Sequence, residues 1–76
     1  MNKYRRKELQ AIMDKLEELK SSIEYLKEEE EEYRDNMPEN LQDSERYWKA
    51  DEACDNLDEA VENIESALEN IETAIE

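Results

Sequence analysis

Residues 49–76 read KADEACD, NLDEAVE, NIESALE, NIETAIE, four seven-residue units in succession. Tyr47, Cys54, Val61, Leu68 and Ile75 recur at one position of the unit, and Ala50, Leu57, Ile64 and Ile71 recur three residues later. Apolar residues alternating at steps of three and four form the a/d seam of a coiled coil, with Tyr47 at a and Ala50 at d. Ala53, Ala60, Ala67 and Ala74 make a third row at g.

The same alternation appears upstream. Leu9, Ile12, Leu16, Leu19, Ile23, Leu26, Glu30 and Tyr33 follow one another at steps of three and four. Lys, Glu and Leu dominate between them, and all favour helix. The pattern predicts a first helix over about 3–35, some 50 Å long at 1.5 Å per residue. Glu30 is its one local conflict, a carboxylate on the apolar seam, with Arg46 and Lys49 as candidate partners.

Between the seams lies DNMPEN. Pro38 disfavours helical geometry at Met37, so the first helix ends there, and Pro38 suits the first position of a short turn through Leu41. Asp43 and Ser44 are both good N-caps, with Ser44 preferred. The reading is a connection over about 36–43, a second helix over about 44–76, and a single domain over 1–76.

The seams match if the chain folds back near Asn40. Facing numbers then add to about 80, so Leu26 meets Cys54, Leu16 meets Ile64, Leu9 meets Ile71, and Glu30 meets the small Ala50. The expected fold is all-α: an antiparallel two-helix coiled-coil hairpin with a shallow crossing. Lys3, Arg5, Arg6 and Lys7 would then lie near Glu69, Glu72 and Glu76. Exposed pairs of that kind contribute under about 1 kcal/mol each, so they help to choose direction more than to hold the fold.

Bulk properties limit the function. Seventy-six residues hold one small core, and chains this short commonly need a partner subunit or a staple. Cys54 is the only cysteine, so no intrachain disulfide forms, and a lone cysteine points to a reducing compartment. The basic N-terminus lacks the apolar run of a secretory signal, and no stretch is apolar enough to span a membrane. A cytoplasmic location is expected. With 24 acids against 10 bases the net charge is −14, which argues against direct binding to nucleic acid or anionic membrane.

An enzyme is not expected. The chain has no histidine, no glycine-rich phosphate loop and no nucleophile motif, and Cys54 sits on the seam as a buried structural thiol. No catalytic, cofactor or metal site is assigned. Three apolar rows on helix 2 suit a helix with two neighbours, so Ala53, Ala60, Ala67 and Ala74 are the candidate oligomer interface of a homodimeric four-helix bundle or a higher oligomer. The competing reading is that these alanines only serve helix propensity.

Acids form further rows. Asp51, Asp58, Glu62, Glu65, Glu69 and Glu72 are the candidate face for a basic host protein, as carboxylates on a stiff rod imitate a phosphate backbone. A solvated face that keeps the rod soluble is the plainer alternative. Tyr25 and Trp48 lie off the seams and are candidate interface aromatics; Trp48 also has the option of packing on Met37 and Leu41 at the turn. Three function classes follow: an acidic antagonist of a host protein, a structural assembly module, and an oligomeric binder that holds a small anion with its basic N-terminus.

The stretch NMPENLQDSERYWKADEACDNLDEAVENIE resembles small acidic proteins of Firmicutes genomes and their phages. They carry a similar Pro-Glu-Asn-Leu-Gln-x-Ser-x-Arg-Tyr turn, residues 38–47 here, followed by Ala/Leu/Ile heptads. The resemblance implies a mobile-element setting and no particular chemistry. Asp43 stands where glycine is common among them, which implies a position with positive φ.

Overall fold

A computed structural model describes Met1–Glu76 as two long helices folded back on one another, with no strand. Helix α1 spans Lys3–Asp35. Asn2 caps it, its side-chain oxygen accepting from the Arg5 N–H at 2.7 Å. Helix α2 spans Glu45–Ile75, and the Ser44 hydroxyl accepts from the Tyr47 N–H at 3.3 Å. The same hydroxyl donates to the Leu41 carbonyl, which ties the cap to the turn before it.

Pro38 sits at φ −56°, ψ 147° and opens a short 3-10 turn, Glu39–Leu41. The Leu41 N–H donates to the Pro38 carbonyl at 2.8 Å. No residue has positive φ, so Asp43 does not take the left-handed conformation its place in the turn implied. Met37 is buried and closes the turn end beneath the half-buried Leu41. Trp48 does not join them; it is 62% exposed.

The pairing is antiparallel. Arg34 bonds to Asp51 at 2.9 Å, Lys27 to Asp58 at 2.6 Å, and Lys20 lies 3.7 Å from Glu65. The numbers of each pair add to 85. These ion pairs thus stand at 85, five above the facing total of 80 that the seams predict. The result is a rod of 59 × 15 × 12 Å.

Helix α2 turns its seam inward: Ala50, Cys54, Val61 and Leu68 are buried, and Leu57, Ile64 and Ile71 half-buried. Helix α1 is rotated from the expected setting. Its a row, Leu9, Leu16, Ile23 and Glu30, is half-buried, as the pattern requires. Its second inward row is Met13, Lys20, Lys27 and Arg34, at e. The expected d row stays out, with Ile12 48%, Leu19 57%, Leu26 56% and Tyr33 48% exposed.

Two causes act together. The e-row cations lay their aliphatic stems along the groove while their heads reach acids of α2. On the opposite edge, the g row of α2 offers only alanines, whose single methyl is too short to cover the d row of α1.

Candidate interaction surface

The rod has two unlike edges. Along one runs the ladder Arg34–Asp51, Lys27–Asp58, Lys20–Glu65, one rung per heptad. Secondary contacts brace it: Arg34 Nε bonds Asp35 at 2.9 Å, Lys27 approaches Glu31 at 3.9 Å, and Lys20 approaches Glu17 at 3.7 Å. The hydrogen bond that Lys27 donates to Asp58, helped by the charges of Asp58, Glu31 and Glu24, raises the pKa of Lys27 above the usual lysine value. Asp35 first and Asp51 next raise that of Arg34. Both groups stay cationic throughout the neutral range.

This ladder divides the acids assigned to a partner-binding face. Asp51, Asp58 and Glu65 are engaged within the chain. Glu72, one heptad further on, forms no ion pair, because Met13 stands where the next cation of the α1 row would be. Glu62 and Glu69 lie on the outer b row with Asp55 and Glu76, exposed and unpaired. Lys3, Arg5, Arg6 and Lys7 form no ion pair with Glu69, Glu72 or Glu76, so the expected pairing of the two ends is not made within the chain.

The other edge is apolar. The d row of α1 runs beside the g row of α2, where Ala53, Ala60 and Ala67 are half-buried and Ala74 exposed. The assigned alanines thus form half of a strip whose larger members are Ile12, Leu19, Leu26 and Tyr33. Ile12 to Tyr33 spans about 32 Å along the helix. Tyr25 is 62% exposed on the outer side of α1, beyond this strip, and Trp48 projects from the first turn of α2.

At the turn end an open cleft of about 410 Å³ is lined by Glu30, Tyr33, Glu45, Arg46, Lys49 and Ala50. Lys49 pairs with Glu45 at 3.4 Å, leaving Glu30 without a cation. Cys54 is buried on the seam, and burial pushes its thiol pKa up against the opposing pull of Arg34. A thiol so placed is a poor nucleophile. No three ligating side chains are grouped to hold a metal ion, and no helix is long and apolar enough to cross a membrane.

The ladder was legible in principle. Lys20, Lys27 and Arg34 recur every seven residues, as do Asp51, Asp58 and Glu65, but only the antiparallel register shows that the rows meet. No family model, curated protein or solved structure matches the chain.

Proposed function

We propose that the chain is a non-enzymatic assembly module, in which two hairpins join through their apolar edges into a four-helix bundle with an acidic exterior. One observation carries this reading: Ile12, Leu19, Leu26 and Tyr33 stand about half exposed in a continuous row beside the α2 alanines. Scattered apolar residues on a surface are ordinary, whereas a strip at heptad spacing marks a contact.

Surface area points the same way. The chain exposes 6033 Å², against about 4,900 Å² expected for a compact monomer of its mass. The excess, about 1,100 Å², is more than the roughly 800 Å² per partner that a stable interface buries. Sedimentation equilibrium at micromolar concentration tests the reading. A dimer mass is expected, converted to a monomer by Ala60→Glu with Ala67→Glu while helicity is partly kept. A wild-type monomer would refute it.

A second reading has its own support. Seven of the ten acids in residues 50–76 take no part in any ion pair. A bundle carrying them outward would suit a basic protein surface that otherwise holds phosphates, as an antagonist encoded by a phage or mobile element would need. Such binding competes with nucleic acid and weakens steeply with salt. Charge reversal at Glu62 and Glu69 that leaves capture of a basic partner unchanged would exclude it.

A further inference from the structure

We infer that the two hairpins pair with their turns at the same end, α1 of each copy packing on α2 of the other. This rests on the association proposed above and adds its geometry. Two arrangements bring apolar edges together with neighbouring helices antiparallel. In one, a two-fold axis runs along the rod and α1 meets the partner's α2. In the other, the axis crosses the rod, the turns lie at opposite ends, and like helices meet.

Charge separates them. Residues 50–76 hold ten acids and no base, while α1 carries eight of the ten bases of the chain. Setting α2 beside another α2 places two acidic helices in contact, with only three of the ten acids of each paired. The same-end arrangement puts them on a diagonal and gives each α2 two α1 neighbours. It also brings the unpaired Lys3, Arg5, Arg6 and Lys7 towards the last turns of the partner's α2.

The register agrees. An axis along the rod keeps equal numbers level, so α1 must meet the partner's α2 near the total of 85 that the ion pairs show within the chain. The heptad rows that face each other allow totals only seven apart. One is 86: Leu19 on the partner's Ala67, Leu26 on the partner's Ala60, Tyr33 on the partner's Ala53. That is one residue, about 1.5 Å, from level. Large side chains of each copy then fall on alanines of the other, and a two-fold repeats the fit.

The rim supplies a further check. All ten acids of residues 50–76 fall on the e, b and f rows. The c row beside the alanines holds Lys49, Asn56, Asn63 and Asn70 instead. On α1 the g row lies next to the d row, and its Glu29, Ser22 and Lys15 stand level with Asn56, Asn63 and Asn70 of the partner subunit. Glu29 thus meets an amide and not a carboxylate, and Lys15 meets an amide as well.

Spin labels at Asn40→Cys, in a Cys54→Ala background with helicity verified, test the geometry by pulsed dipolar spectroscopy. Same-end pairing places the two turns about two helix diameters apart, of order 20–30 Å including the labels. A separation near the 59 Å length of the rod would overturn the inference and leave association standing. A monomer mass for the wild type would overturn both. Isotope-filtered methyl spectra of mixed labelled and unlabelled wild-type protein give an independent reading. Intermolecular Leu26–Ala60 contacts are expected, and Ala60–Ala60 contacts in their place would overturn it.

Discussion

Replacing Leu19 and Leu26 together by alanine separates the two faces of α1. These leucines remain 57% and 56% exposed in the hairpin. Burying a whole leucine contributes about 1.5–3 kcal/mol, so each retains roughly 1 kcal/mol of ungained burial. A dimer collects it from four side chains. Truncation should remove about 3–5 kcal/mol of association, about 10²- to 10⁴-fold in Kd. The hairpin itself loses little, since alanine is the better helix former and the deleted carbons are largely wet already. The assay is sedimentation equilibrium across a concentration series, with circular dichroism at each concentration. Leu16→Ala is the control, because Leu16 lies on the half-buried a row and its loss acts on the hairpin. If the leucine pair dissociates no more readily than wild type, the exposed row is not the interface. If it unfolds the chain as Leu16→Ala does, the rotated setting of α1 is wrong.

Ser44→Ala removes the cap of α2 and should cost about 1 kcal/mol, lowering Tm by roughly 4–8 °C; an unchanged melt would mean the cap is idle. Glu30→Leu replaces an unpaired carboxylate on the seam, in the cleft that Ala50 also lines, and should stabilise by about 1 kcal/mol in denaturant titration. Alkaline pH should destabilise. The folded pKa values of Cys54 and Lys27 are raised, so the unfolded chain sheds protons first, and stability present below the ordinary values of 9.0 and 10.5 is lost as pH rises through the folded ones. A melting temperature that climbs between pH 8.5 and 11 would contradict this sign. Added salt should raise the melting temperature, since a net charge of −14 repels itself more than three rungs attract; a fall would put the ladder in charge.

Periodicity and local chemistry by themselves determined the two helices, the turn between them and the inward face of α2. Apolar a, d and g rows on α2 leave it one way to turn, and Pro38 and Ser44 stop and start helices through their own backbone and side chain. The face of α1 was another matter. Its sequence offers two seams that share Leu9, Leu16 and Ile23, one completed by Ile12, Leu19 and Leu26, the other by Met13, Lys20 and Lys27. Hydrophobicity within α1 favours the first. The tertiary structure takes the second, because the cations meet Asp58 and Glu65 across the groove while the alanines of α2 cannot cover the leucines. That choice depends on side chains some thirty or more residues away, which only the fold brings alongside. It also moves the larger half of the candidate surface from the alanines of α2 to the exposed row of α1.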